Sequence, residues 1–323
     1  MCTRILWNNN THAVMTGRTM DWPESTRPVL TVLPRGMVRN GGMAGSRTVV
    51  PTNPAVWTSV YGSLVTTSYG IGTADGINEK GLGVHMLFLN ATDFGARNTD
   101  LPGLQAGLWG QYLLDNAATV TDALDLLGEV QVVMVETNGH KANLHLAIED
   151  AAGDSAIVEY IAGEPVVHHG RDFVIMTNDP AYDAQLAILE TEDFSHPSSD
   201  TPLPGNVNPV DRFARASYYL SLLPDPKGER EAAASILAIA RNASVPFGAP
   251  YKGFGVYSTE YRTATNLTDQ RYYFELSSSP NVIWIELAAM NLDAGSPVQM
   301  LDPDDIDLSG DITSCFTPAP APF

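Results

Sequence analysis

An α+β fold built from layered antiparallel sheets is the architecture that this sequence predicts. Three observations carry it. Strand-like runs come in groups instead of alternating one for one with helices, blocks of helical periodicity separate those groups, and short Gly-bearing turns join successive strands. The chain has 323 residues, 44% of them hydrophobic, enough for a sizeable core, and neither internal repeats nor a linker divides it.

The first element is a hairpin. Thr3-Arg4-Ile5-Leu6-Trp7 leads through the turn formers Asn8-Asn9-Asn10-Thr11-His12 into a second strand over 13–21. Strict alternation places Arg18 and Met20 on one face of that strand, Thr19 and Asp21 on the other. Further strands are expected at 29–33, 59–68 and 83–89. Residues 104–116 and 120–127 read as helices, the second with Thr121 as its N-cap. A meander follows at 143–149, 155–161, 164–168 and 173–177, with turns at Ala152-Gly153-Asp154 and Ala162-Gly163. Helical patterns cover 181–190, 210–223 and 230–242, and strands cover 261–267, 271–276 and 282–286. The Ser-, Pro- and Asp-rich stretch 191–208 reads as a long surface loop. The whole is a single domain over 2–316, with 317–323 (Thr-Pro-Ala-Pro-Ala-Pro-Phe) as an extended, weakly ordered tail.

Charge narrows the function. Against 18 Lys and Arg stand 37 Asp and Glu, a net charge of −19 that argues against nucleic acid or an anionic membrane as partner. An anionic substrate needs locally placed arginines. There is no apolar run near 18 residues and no charged-then-apolar leader, so a cytoplasmic protein is expected, or a periplasmic one if a leader has been lost. The two cysteines make no disulfide framework and no zinc-type cluster, and neither metal nor cofactor is expected.

One cysteine stands at position 2. Cleavage after Met1 leaves a thiol and a free α-amine on one residue, with ordinary pKa values of about 8.5 and 7.7–8.0, so the amine can serve as the thiol's base near neutrality. If Arg18 and Asp21 both attend Cys2, the second strand must end, bend or bulge near Asp21, and Pro23 follows closely.

Five short motifs come in a telling order: Met1-Cys2-Thr3-Arg4; Gly17-Arg18-Thr19-Met20-Asp21-Trp22; Ala74-Asp75-Gly76-Ile77-Asn78-Glu79-Lys80-Gly81-Leu82-Gly83; Met176-Thr177-Asn178-Asp179-Pro180; and Asp211-Arg212-Phe213-Ala214-Arg215-Ala216. Together they resemble the choloylglycine hydrolase family, which includes conjugated bile acid hydrolases and penicillin V acylases. The resemblance implies the Ntn-hydrolase fold, a four-layer αββα sandwich with two antiparallel sheets. It also implies roles: Cys2 as nucleophile with its α-amine as base, Arg18 beside the sulfur favouring the thiolate, and Asp21 orienting the amine. Asn178 and the backbone N–H of Phe88 would form an oxyanion hole, and Arg212 would complete the charged surround.

The sequence also departs from the family pattern. After Gly81-Leu82-Gly83, where bile acid hydrolases commonly carry an Asn, the run Val84-His85-Met86-Leu87-Phe88 places Phe88. Trp22, Met86 and Phe88 then suggest an apolar lining suited to a phenyl or acyl tail. Only 34 positions separate Asn178 from Arg212, short for Gram-positive members, in which an extra hairpin there assists tetramer assembly. Both traits resemble the Gram-negative branch, which leans towards penicillin V and N-acyl homoserine lactones. A homotetramer acting on a small-molecule amide is the expectation, with bile acid conjugates as the alternative substrates and a non-catalytic binder of amphipathic acids as the rival of another class.

Other features carry less. Arg262 is either a contact for a substrate carboxylate or a solvated strand-edge arginine. His168-His169 lacks a further ligand at suitable spacing and reads as a strand-end pair. The five aspartates of 302–311 lack the order of a calcium loop.

Overall fold

The computed structural model describes residues 1–251 and 255–323. Two antiparallel sheets lie face to face with helices outside them. The first sheet has seven strands in the order Ile175–Met176, Cys2–Trp7, Met15–Asp21, Thr259–Asn266, Arg271–Leu276, Ile283–Glu286, Gly310–Asp311. Only its last pair is parallel. The second has nine: Glu164–His169, Ser155–Ile161, Leu144–Glu149, Gly83–Phe88, Gly72–Asn78, Ser63–Ser68, Leu30–Leu33, Gln299–Leu301, Thr317–Pro318. Helices α1 (Trp109–Asn116) and α2 (Val120–Asp125) cover the second sheet. Helices α3 (Tyr182–Leu189), α4 (Pro209–Ser221) and α5 (Glu229–Ala243) gather on the outer side of the first. This is the αββα order.

The packing follows from side-chain periodicity. In α5, Ala232, Ala233, Ile236, Leu237, Ile239, Ala240 and Ala243 are buried, a continuous apolar stripe laid on the central strands of the first sheet. Gly17 permits that approach, since a Cβ there would lie 2.5 Å from Ile236 Cγ2. The central strands Cys2–Trp7 and Met15–Asp21 are buried at every position, which places Arg4, Arg18, Asp21 and the nucleophile candidate deep in the molecule.

Three expectations need correction. Residues 104–116 are not one helix: Gly103–Gln105 is a strand paired in parallel with Gln131–Val133, and Gln105 Oε1 accepts from Gly107 N at 2.7 Å before the helix starts at Trp109. The cap of α2 is Thr119, not Thr121. Its hydroxyl accepts from Asp122 N while the Asp122 carboxylate accepts from Thr119 N, a complete capping box. The tail, expected to be weakly ordered, is docked. Thr317–Pro318 forms the edge strand beside Gln299–Leu301, and Arg39 Nη1 donates to Phe323 O at 2.8 Å.

Candidate active site

The first strand brings chemistry to Cys2 from both of its faces. Cys2 pairs with Met20, so the Cys2 side chain lies with Met20 and Arg18 on the side facing the second sheet. There Arg18 Nη2 lies 3.6 Å from Cys2 Sγ and donates to Met86 O at 3.0 Å, while Nη1 donates to Tyr261 OH at 3.2 Å and faces Asp75 Oδ1 at 3.4 Å. On the opposite, helical face, Arg212 of α4 donates through Nη1 to Cys2 O (2.6 Å) and Thr3 Oγ1 (2.5 Å), and through Nη2 to Asn178 Oδ1 (2.8 Å). Asp21 Oδ2 lies 3.6 Å from Arg212, and its Oδ1 accepts from Thr259 Oγ1 at 2.6 Å.

This resolves the alternation problem in the second strand. Arg18 lies on the sulfur side and Asp21 on the opposite face, where it meets Arg212 rather than Cys2 itself, from a strand that keeps its alternation. A bulge does occur beside Asp21, but in the neighbouring strand, where the register slips between Thr259 and Tyr261.

Asn178 is fixed by its neighbours. Its Oδ1 accepts from Cys2 N at 2.7 Å as well as from Arg212, and its Nδ2 donates to Phe88 O at 2.6 Å. Gln185 of α3 donates to Asn178 O, and His145 Nε2 donates to Thr177 O at 3.0 Å. Phe88 meets Asn178 because of its register. Leu89 N donates to Asn143 O, so Phe88, opposite Leu144, is a non-hydrogen-bonded pair whose N–H and C=O point away from that strand. They point toward Gly72–Asn78, whose pairing with Gly83–Phe88 runs only to His85 and Asp75. The gap beyond is where Arg18 reaches Met86 O.

Met1 continues the ladder. Its carbonyl accepts from Asp21 N at 2.8 Å and its amine donates to Asp21 O, leaving Met1 3% exposed. Burial pushes that amine below its ordinary pKa, against the pull of Cys2 and Asp21.

A pocket of about 740 Å³, counted to its open mouth, opens onto Cys2 and Arg18. Met20, Trp22, Ile71, Met86, Phe88 and Leu144 supply apolar walls, with His140 and Lys141 among the polar lining. Trp22 leans on Phe88 (5.6 Å between centroids) and meets His140 edge-on (5.1 Å), while its Nε1 donates to Tyr69 OH at 2.8 Å. Three of the four residues proposed to contact substrate, Trp22, Met86 and Phe88, therefore line one cavity. Arg262 does not: its Nε donates to Ser244 Oγ at 2.6 Å and Nη1 lies 3.7 Å from Glu275, on the helical side of the strand. Alternation puts it with Thr19 and Asp21, away from the pocket. His168 and His169 point apart, each to its own carboxylate, Asp183 and Asp154. Sequence reasoning passed over Asp75, Tyr261 and Thr259, although Asp75 lay inside one of the five motifs. Among the described residues no group of three or more His, Cys, Asp or Glu is placed to hold a metal ion, and no helix is long and apolar enough to cross a membrane.

Comparison with known proteins bears directly on this geometry. Residues 2–300 match the family model described as linear amide C-N hydrolases, choloylglycine hydrolase family. The chain belongs to the choloylglycine hydrolase family. A penicillin V acylase of Pectobacterium atrosepticum is 35% identical over 98% of this chain and 90% of that protein. The solved penicillin V acylase of Agrobacterium tumefaciens superposes with a TM-score of 0.87 at 36% identity, covering 99% and 98% of the two chains. A conjugated bile acid hydrolase structure from Clostridium perfringens shares the fold at a TM-score of 0.78 and 20% identity, covering 96% of this chain and 98% of that one. As a member of the choloylglycine hydrolase family, the protein is a hydrolase of carbon–nitrogen bonds in linear amides with the Ntn-hydrolase sandwich.

Proposed function

We propose that the protein is an N-terminal-cysteine acylase of the penicillin V or N-acyl homoserine lactone type. The observation that carries the reading is the position of Cys2 Sγ, at the base of an apolar pocket and 3.6 Å from Arg18. Similarity to penicillin V acylases over nearly the whole chain supports the substrate class.

The chemistry requires the peptide bond before Cys2 to be cut. Cys2 N then becomes an α-amine, next to Asn178 Oδ1. The amine takes the thiol proton as Sγ attacks the amide carbonyl. Charge develops on the carbonyl oxygen, where Asn178 Nδ2 and the Phe88 N–H are the donors available to it. The leaving amine departs with the proton, and water, deprotonated by the same α-amine, hydrolyses the thioester. Asp21 holds the amine and Arg212 ties Cys2 O, Thr3 and Asn178 into one unit. Trp22, Met86 and Phe88 receive the acyl or aryloxyacetyl part. A homotetramer belongs to the same reading. The exposed Val38, Val56 and Val60 supply apolar surface for an interface, and sedimentation measures the assembly.

The test is amine release from penicillin V, a C8 acyl homoserine lactone and glycocholate in parallel, with Cys2→Ala as control and the N-terminus sequenced. Cys2-dependent turnover led by either of the first two is the expected result. A glycocholate preference would move the protein to the bile acid branch, and silence on all three from chains beginning at Cys2 would refute the acylase reading.

A further inference from the structure

Between the two sheets runs a buried row of alternating charges that ends at Cys2. Arg4 donates to Glu149 Oε2 through Nε (3.1 Å) and Nη2 (2.6 Å). Glu149 Oε1 lies 2.6 Å from His85 Nε2, and His85 Nδ1 lies 3.7 Å from Asp75 Oδ2. Asp75 Oδ1 faces Arg18 Nη1 at 3.4 Å, and Arg18 Nη2 reaches Cys2 Sγ at 3.6 Å. No charged side chain in the row is more than 2% exposed. Register builds it. Arg4 and Arg18 are direct cross-strand partners in the first sheet, an arrangement of like charges that is unfavourable alone. Asp75 and His85 are partners in the second sheet, and Glu149 lies opposite Gly83.

The protonation state of His85 follows from its two neighbours. Nε2 lies at hydrogen-bond distance from Glu149, while Nδ1 has no hydrogen-bond partner and faces Asp75 Oδ2 across 3.7 Å, so a neutral ring that donates to Glu149 would turn the Nδ1 lone pair toward a second carboxylate, whereas the imidazolium presents a proton there. Both carboxyls are ionised. Burial works against Glu149, but Arg4 and His85 outweigh it and hold the carboxyl down at about 2. Asp75 is likewise held below the usual range by Arg18 and His85 against its burial, and it also accepts from Tyr272 OH (2.9 Å) and Thr263 Oγ1 (2.8 Å). Burial of His85 opposes its charge, yet Glu149 and Asp75 carry its pKa above the ordinary value. Of the other titratable groups on the packed strands, Tyr261 accepts from Arg18 within the row, and His145 is engaged outside it with Glu159 and Thr177.

We propose that His85 is a positioning residue for the nucleophile: held as an imidazolium between Asp75 and Glu149, it leaves the row Arg4, Glu149, His85, Asp75 and Arg18 with one positive charge in excess, in a row whose Arg18 end reaches Cys2 Sγ. With a neutral ring the row sums to zero and Arg18 is neutralised by Asp75. The proposal rests on the reading of Cys2 as nucleophile.

Alkylation of Cys2 tests it, followed by mass on the N-terminal peptide of protein beginning at Cys2, in a Cys315→Ser background. Two reagents of similar size are compared at pH 7, anionic iodoacetate and neutral iodoacetamide. His85→Gln keeps a donor toward Glu149 and removes the charge. It is expected to slow iodoacetate by about tenfold, the effect of a unit charge at roughly 10 Å in a protein interior, and to slow iodoacetamide by less. A merely structural role would slow both alike, and an unchanged ratio of the two rates with a fast wild-type thiol overturns the proposal alone. A wild-type Cys2 no more reactive than free cysteine overturns the nucleophile reading with it. Should His85→Gln fail to fold, imidazole NMR of the wild type decides: His85 stays an imidazolium at pH 7.5, where free histidine is neutral, and a neutral ring at pH 7 overturns the proposal.

Discussion

Arg18 and Arg212 hold Cys2 from opposite faces of one strand, Arg18 reaching the sulfur at 3.6 Å and Arg212 the carbonyl oxygen at 2.6 Å. The strand separates two contacts: one guanidinium faces the sulfur, and the other holds the backbone that carries it.

Removing the sulfur and removing its support therefore have different signatures. Cys2→Ala abolishes turnover and leaves the unfolding free energy within about 1 kcal/mol, since it loses only the weak Sγ contacts to Met20 and Arg18. Arg212→Ala strands the buried Asp21 carboxylate and the Cys2 carbonyl, and is expected to cost about 3–5 kcal/mol in a denaturant melt as well as activity.

Asn178→Ala lowers kcat about 100–1000-fold with little change in KM, because its Nδ2 matters most when charge appears on the carbonyl oxygen. Steady-state kinetics on the best substrate measures the split. A change confined to KM would make Asn178 a ground-state binding residue.

Phe88→Asn puts an amide where the pocket now has an aromatic wall against Trp22. The ratio of glycocholate to penicillin V turnover is expected to rise several-fold. An unchanged ratio would show that this wall does not set the preference.

Gly17→Ala forces a methyl against Ile236, and overpacking of this kind costs about 1–3 kcal/mol. Thermal melting should show the loss, and Ile236→Val in the same chain should recover part of it.

Glu149 ties stability to acid. Its folded pKa, about 2, lies below the unfolded value, so its stabilisation is complete above about pH 4.5 and fades as pH falls from there toward 2. The stability gap between wild type and Glu149→Gln is expected to be widest near neutrality and to close through that window, as measured by urea melts across pH. A gap independent of pH would contradict the charged pairing.

Much of this was legible in the residues. The first hairpin, the meander and the α3 to α5 helices follow from periodicity and turn residues, and the Cys2, Arg18, Asp21, Asn178 and Arg212 set came from motifs. The strand Gly72–Asn78 was missed because it is buried on both faces, which erases alternation, and three of its seven positions are Gly or Ala. The short strands Gln299–Leu301 and Thr317–Pro318 exist only because the second sheet offers an edge, which local sequence does not encode. Arg262 was misjudged because its face depends on which side of the strand carries the pocket. Asp75 and His85 showed no spacing signal: their meeting with Arg18 and Glu149 is a product of two sheets stacked face to face.

Both sheets join the two ends of the polypeptide. Met15–Asp21 lies beside Thr259–Asn266, and Leu30–Leu33 beside Gln299–Leu301. While the chain is being synthesised, the strand that carries Arg18 has Cys2–Trp7 as a neighbour and an open edge on its other side until Thr259–Asn266 emerges. Pairings of such long sequence separation fold slowly and leave sticky edges exposed in the meantime. The surroundings of Arg18 and Asp21 are thus complete only once Thr259–Asn266 has joined the sheet, and a chain truncated before Thr259 would lack the Tyr261 and Thr259 hydroxyls that hold them.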